Sequence, residues 1–162
     1  MKEFVLGMSG VEWAFFGAAL AAIGGGIGSA IGIAIVSGAA TGVVSEAPEK
    51  FGRLLPLTAM PGTQGIYGFI TALLVFIFLG FFEGDLALSA TEGLRVFFSC
   101  LPVAFVCMVS GIYQGLAAVG AVGMVARRDE EAGKALIFPA LVETYAVFSL
   151  IISVLMLITV TG

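Results

Sequence analysis

The sequence predicts an all-α membrane protein, with four transmembrane helices arranged as two duplicated helical hairpins that assemble into a homo-oligomeric ring. Three observations predict it. Hydrophobic residues make up 60% of the 162 and charged residues 11%, with a mean hydropathy of +1.14, outside the range of soluble globular chains. Charges and turn signals divide the chain into four apolar stretches, 11–44, 54–82, 96–126 and 135–160. Each exceeds the roughly 20 helical residues that a hydrocarbon core requires. The two halves also match at an offset of about 81 residues: Ser29 with Ser110, Ala40 with Ala121, Gly42 with Gly123, Glu49 with Glu130, Gly52 with Gly133 and Thr63 with Thr144. The chain then divides into a first hairpin over 1–82, an external connection over 83–95 and a second hairpin over 96–162.

The first stretch is expected to remain in the mature protein. Its apolar run outlasts the core of a signal peptide, and Glu3 and Glu12 stand where a basic segment would precede one. Small residues recur at every fourth position, Ala14, Ala18, Ala22, Gly26, Ala30, Ala34, Gly38 and Gly42, and a second row holds Gly24, Gly28 and Gly32. Such faces let helix backbones approach closely, which is how helices associate in lipid once the hydrophobic effect no longer drives them together. The run GGGIGSAIG over 24–32 is not a dinucleotide fingerprint, because no strand precedes it. The connection SEAPEKFGR is short enough to require an antiparallel partner.

The second stretch is interrupted by Met60-Pro61-Gly62-Thr63-Gln64-Gly65. Pro61 donates no backbone hydrogen bond and its ring presses on the preceding turn, so carbonyls from Leu57 to Met60 lose helical partners and become candidate cation ligands. Unwound backbone at membrane depth survives only where protein or a polar site covers it. After the 83–95 connection the third stretch repeats the small-residue pattern with Gly111, Gly115, Ala118, Gly120 and Gly123. Small faces on two equivalent helices fit the crowded inner wall of a ring of identical copies; packing inside one four-helix bundle is the plainer alternative. Cys100 and Cys107 are seven residues apart in one helix, too far for a disulfide, and no histidine is present to complete a zinc site; they are expected to pack as small apolar residues. The second turn is RRDEEAGK.

Lys50, Arg53, Arg127, Arg128 and Lys134 gather at the two hairpin turns, against Lys2 and Arg95 on the other side. The positive-inside rule places the turns in the cytoplasm and both termini outside the cell membrane. The net charge of −4 comes from acids in short connections, and no basic patch points to nucleic acid.

The fourth stretch carries Glu143 inside the otherwise uncharged run 135–162. An unpaired carboxylate near the bilayer centre costs several kcal/mol, so such a residue is protonated, ion-bound or turned to a polar interior. At 1.5 Å per helical residue, Gln64, Gln114 and Glu143 all lie roughly 14 to 18 Å from the cytoplasmic ends of their helices. Thr63 and Tyr67 are on the helix of Gln64, one turn apart. One carboxylate, two amide oxygens, a hydroxyl and a backbone carbonyl are a hard oxygen set suited to a monovalent cation such as Na⁺. At the repeat offset Gly62 answers Glu143 and Ile33 answers Gln114, so only one half carries the charge. Three alternatives stay open on these residues: Glu143 as a proton carrier bonded to Tyr67, Glu143 as a structural residue, and the glutamines as interhelical hydrogen-bond glue. A self-contained channel or carrier is a further one.

PGTQGIYGF (61–69), SGIYQG (110–115) and VETYA (142–146) resemble the motifs of the membrane rotor subunit of the vacuolar/archaeal-type rotary ATPases, the proteolipid or K (c) subunit, and the resemblance covers essentially the whole chain. It implies a ring of identical four-helix subunits turning in lipid against a stator subunit that supplies an arginine. It also implies Na⁺ ligation, as in bacterial Na⁺-coupled members, by Thr63, Gln64, Gln114 and Glu143 side chains and the Met60 carbonyl, where leucine is usual, with Tyr67 as a supporting hydrogen bond. H⁺ is the alternative cargo. Glu49, Lys50, Arg53, Arg127 and Arg128 are the expected contacts to central-stalk subunits. No P-loop is present, so ATP chemistry is expected elsewhere in such a complex.

Overall fold

A computed structural model describes residues 7–84 and 88–161. Lys2 and Glu3 lie outside the described residues, as do the ends of the two hairpin segments and positions 85–87 of the connection. The helices are α1 (Gly10–Glu46), α2 (Phe51–Ala59), α3 (Thr63–Phe78), α4 (Ala90–Arg127), α5 (Ala132–Ala135) and α6 (Ile137–Thr161). Single 3₁₀ turns at Pro48–Lys50, Met60–Gly62, Phe81–Glu83 and Asp129–Glu131 join or extend them. Among the described residues four spans are long and apolar enough to cross a membrane: Gly10–Glu46, Pro48–Phe78, Ala90–Arg127 and Asp129–Val160. The all-α, four-span expectation holds.

The duplication is visible in the backbone. Both α1 and α4 open on a capping box: the Ser9 and Ser89 hydroxyls each accept from the backbone N–H of Glu12 and Glu92 at 3.3 Å. The two glutamates accept in turn from the N–H of Ser9 at 2.6 Å and of Ser89 at 2.9 Å. Each box satisfies donors that a helix start leaves orphaned. Both helices also close alike, with Ala47 (φ −139°) and Arg128 (φ −141°) donating back to Val43 and Met124. The turns are tighter than the connections read from the sequence. Helical structure resumes at Pro48 and Asp129, not near 54 and 135, because a charged segment at a solvated end continues as helix as readily as it forms a loop, and Pro48 pre-sets the first helical φ.

α1 and α4 run parallel and touch along their length, backbone against backbone. A Cβ added at Gly24 would strike the Ala104 carbonyl, at Gly28 the Cys107 and Met108 carbonyls at 2.6 Å, and at Gly32 the Gly111 carbonyl. From the other side, Gly111 faces Gly28 and Gly115 faces Gly32. The five glycines singled out for close packing therefore all lie in the α1–α4 seam of one chain, Gly28 and Gly32 against Gly111 and Gly115 and Gly24 against Ala104, and the plainer alternative accounts for that row. The other row divides: Ala14 and Ala18 are buried, whereas Gly26, Ala30, Ala34, Gly38 and Gly42 are exposed on the single chain. α3 packs on α1 and α6 on α4.

Two apolar cores form. One holds Ala14, Ala18, Ala21, Val75, Val96, Val103 and Leu157, the other Val36, Leu54, Leu57, Ala118, Val122 and Val125. Buried Ser29, Gln64, Ser110 and Gln114 lie outside both clusters. Cys100 and Cys107 are free thiols, buried as expected. Trp13, Phe15, Phe16, Phe76, Phe81 and Phe97 make edge-on, tilted and stacked ring contacts around the ends opposite the hairpin turns, where aromatic belts sit in membrane proteins.

Candidate ion-binding site

The site begins with two prolines. Pro61 lacks an N–H for the Leu57 carbonyl, and the second span tightens into the 3₁₀ turn Met60–Gly62 before α3 starts at Thr63. The Met60 carbonyl then accepts both the Thr63 backbone N–H and the Thr63 hydroxyl, the latter at 3.0 Å. Pro139, one turn ahead of Glu143, does the same work on the fourth span, which breaks at Leu136 between α5 and α6.

Around these breaks the polar side chains expected at one depth meet. Glu143 Oε1 accepts from the Tyr67 hydroxyl at 2.7 Å, and Oε2 accepts from Gln114 Nε2 at 3.2 Å. The same Nε2 donates to the Pro139 carbonyl at 3.1 Å. Gln114 Oε1 accepts from Gln64 Nε2 at 2.6 Å, and Gln64 Oε1 accepts from the Thr63 hydroxyl at 3.3 Å. A continuous chain thus links Met60, Thr63, Gln64, Gln114, Glu143 and Tyr67. Every residue read as a ligand or its support belongs to it.

Gln64 and Gln114 are fully buried, while Glu143 is half-buried, next to exposed Leu141, Tyr145 and Ile66 on the outer faces of α6 and α3. The carboxylate therefore stands at the bundle edge with its polar partners behind it. Inside lipid, an ionised group in that position stays only if neutralised. The donor set answers that need with oxygens from one carboxylate, two amides, one hydroxyl and one carbonyl, the hard-ligand chemistry of an alkali cation. Among the described residues no three His, Cys, Asp or Glu side chains come together, and Glu143 is the one carboxylate in the set of contacts described above.

Three members were not singled out for the site from the sequence. The Ser110 hydroxyl accepts from Gln64 Nε2 at 3.3 Å and donates to the Val142 carbonyl at 3.1 Å, tying α4 to α6 beside the carboxylate. Ser29, its repeat partner, accepts from the Gly65 N–H at 2.7 Å and ties α1 to α3. The Pro139 carbonyl is the third. The matched serines were the available signal; a backbone carbonyl leaves none beyond the proline itself.

At the hairpin turns, Asp129 accepts from Lys50 at 3.2 Å and from Arg53 at 2.8 Å, and Lys50 also donates to the Ala126 carbonyl. Of the basic residues expected to meet other subunits, these two are engaged in clamping the hairpins together, whereas Arg127 and Arg128 are exposed beside a cavity of about 680 Å³. Glu49 is exposed as well.

The family model for the C subunit of ATP synthase matches the chain twice, over residues 16–75 and 97–156, once per hairpin. The V-type sodium ATPase subunit K of Enterococcus hirae is 42% identical over 158 residues, covering 98% of this chain and 98% of the relative. The A-type ATP synthase subunit K of Methanocaldococcus jannaschii is 37% identical over 148 residues, 91% of this chain and 64% of the relative.

Proposed function

Because the chain belongs to the ATP synthase C-subunit family, as a proteolipid K (c) subunit of the V/A-type ATPases, we propose that its cargo is Na⁺, one ion per chain, held at Glu143. The subunit is a non-catalytic, ion-translocating rotor component and a multi-pass membrane protein. The observation that carries the Na⁺ reading is the unbroken set of contacts from the Met60 carbonyl through Thr63, Gln64 and Gln114 to Glu143, closed by Tyr67. A proton site needs only a carboxyl and one partner. Two buried glutamines, Gln114 on the carboxylate and Gln64 behind it on Gln114, supply amide oxygens that a cation uses and a proton does not need. The sodium ATPase relative supports the same reading.

In this reading identical subunits form a ring, and each site crosses the lipid with Na⁺ neutralising Glu143. At the stator subunit an arginine competes for the carboxylate and releases the ion to an exit path; the emptied site reloads from the other side. The hairpin turns face the cytoplasm, where Glu49, Arg127 and Arg128 are the exposed candidates for central-stalk contacts, with Lys50 and Arg53 shaping that surface through Asp129.

The test is carbodiimide modification of Glu143 in the assembled complex at fixed pH. Na⁺ is expected to slow it in a saturable way. Modification that follows pH and ignores Na⁺ assigns the site to H⁺ instead.

A further inference from the structure

An amide carries an oxygen and a nitrogen of nearly the same size, so packing cannot choose between the two ways of seating a buried glutamine; only its hydrogen-bond partners can. Gln64, fully buried, poses that choice. Its backbone is fixed from α1, where the Ser29 hydroxyl accepts from the N–H of the next residue, Gly65, at 2.7 Å. Its amide nitrogen points to α4, donating to Gln114 Oε1 at 2.6 Å and to the Ser110 hydroxyl at 3.3 Å. Its amide oxygen points to the Thr63 hydroxyl.

Ser110 is buried, and its hydroxyl has one hydrogen. That hydrogen goes at 3.1 Å to the Val142 carbonyl of α6, a group that can only accept. Toward Gln64 the hydroxyl is therefore an acceptor. Gln114 Oε1, the other partner, has no hydrogen to give. With the amide reversed, Gln64 Oε1 would face two oxygens unable to donate to it, and its N–H groups would face Thr63. A cation needs the opposite on that side. The single Thr63 hydroxyl hydrogen stands between two acceptors, the Met60 carbonyl at 3.0 Å and Gln64 Oε1 at 3.3 Å, so lone pairs remain on all three oxygens. These are the three first-hairpin oxygens read as Na⁺ ligands.

We infer that Ser110 is a positioning residue of the site: with its hydrogen held by Val142, it serves Gln64 as an acceptor and keeps the amide oxygen turned to the Thr63 side, where a cation can use it. The inference rests on the Na⁺ reading above and adds to it a residue that acts through Gln64. Gln114 shares the hold on Gln64 Nε2, but its oxygen is itself read as a ligand. A cation that takes that oxygen leaves Ser110 as the other acceptor on the nitrogen. The hydroxyl therefore matters most when the site is loaded.

Two readouts on the assembled complex in vesicles test this: Na⁺ protection of Glu143 against carbodiimide, and ATP-driven ²²Na⁺ uptake. Ser110→Ala is expected to raise the Na⁺ concentration for half-protection and for half-maximal uptake about 3- to 10-fold. Uptake at saturating Na⁺ and labelling without Na⁺ are expected to hold, because Glu143 keeps Tyr67 and Gln114. Ser110→Thr retains the hydroxyl and is expected to restore both midpoints. Ser99→Ala removes another buried hydroxyl of α4, one bonded to the Arg95 carbonyl, and is expected to move neither. Wild-type midpoints in Ser110→Ala, a threonine variant as weak as the alanine one, or a fall in maximal uptake at an unchanged midpoint overturns the positioning role and leaves the Na⁺ reading standing. Wild-type protein that Na⁺ does not protect overturns that reading and this inference with it. Should Ser110→Ala fail to assemble, Ser110→Cys serves: a thiol accepts only weakly, so the midpoints are still expected to rise, and unchanged midpoints overturn the proposal.

Discussion

The Tyr67 hydroxyl donates to Glu143 Oε1 at 2.7 Å, joining the two hairpins at the one carboxylate in the apolar run of the fourth span. That bond holds the carboxylate from the α3 side while Gln114 holds it from α4. A hydrogen bond to a charged group contributes about 1.5–3 kcal/mol, and 1.4 kcal/mol is a factor of ten. Tyr67→Phe is therefore expected to raise the Na⁺ concentration needed for half-protection of Glu143 about 10- to 100-fold. Carbodiimide labelling against a Na⁺ titration measures it, and an unchanged midpoint would remove Tyr67 from the site.

Glu143→Gln keeps shape and hydrogen bonding but removes the charge that a cation balances. The variant chain is expected to assemble to wild-type particle mass, since neither apolar core contains Glu143. ATP-driven ²²Na⁺ uptake into vesicles is expected to vanish. Uptake at the wild-type rate would take Glu143 out of the mechanism.

Much of this was legible because the bilayer makes sequence unusually literal. Lipid cannot hydrate a stray polar group, so the few that persist at depth, Glu143, Gln64 and Gln114, could be expected to meet, and they do. Span ends were less legible. Glu49, Lys50 and Arg53 read as a loop, yet a helix end in water carries charges at little cost, and Asp129 gives two of them a partner. The orientation of the glycine rows was hidden for a different reason. A row of small residues says that a backbone comes close but does not say whose, and Gly24, Gly28 and Gly32 met α4 of their own chain. The Pro139 carbonyl had no letter of its own to announce it.

Gln114 has three partners in the site: its amide nitrogen donates to Glu143 and Pro139, and its oxygen accepts from Gln64. Replacing it with isoleucine copies the first repeat, where Ile33 stands. Gln114→Ile is expected to abolish Na⁺ protection of Glu143 while pH-dependent labelling persists. It also strips a partner from buried Gln64, at a cost of about 1–3 kcal/mol. Thermal unfolding of the solubilised protein reads the second effect, labelling the first. Retained Na⁺ protection would confine the amide to a packing role.

Gly32 couples helix packing to the site. A methyl there meets the Gly111 carbonyl of α4 on one side and the Pro61 ring at 2.8 Å on the other. Neither neighbour is the free end of a flexible chain, so α1 must move away from both. Overpacking of this kind costs about 1–3 kcal/mol. Displacing Pro61 also shifts the 3₁₀ turn from which Met60 and Thr63 present their oxygens. Gly32→Ala is therefore expected to lower thermal stability and to weaken Na⁺ protection together. Gly52→Ala is the contrasting change: nothing lies within 4 Å of its added Cβ, and helix propensity alone favours alanine by up to about 1 kcal/mol. Its melting temperature should hold or rise with Na⁺ protection unaltered. Equal behaviour of the two variants would mean that the tight α1–α4 seam is not what holds the ligands in register.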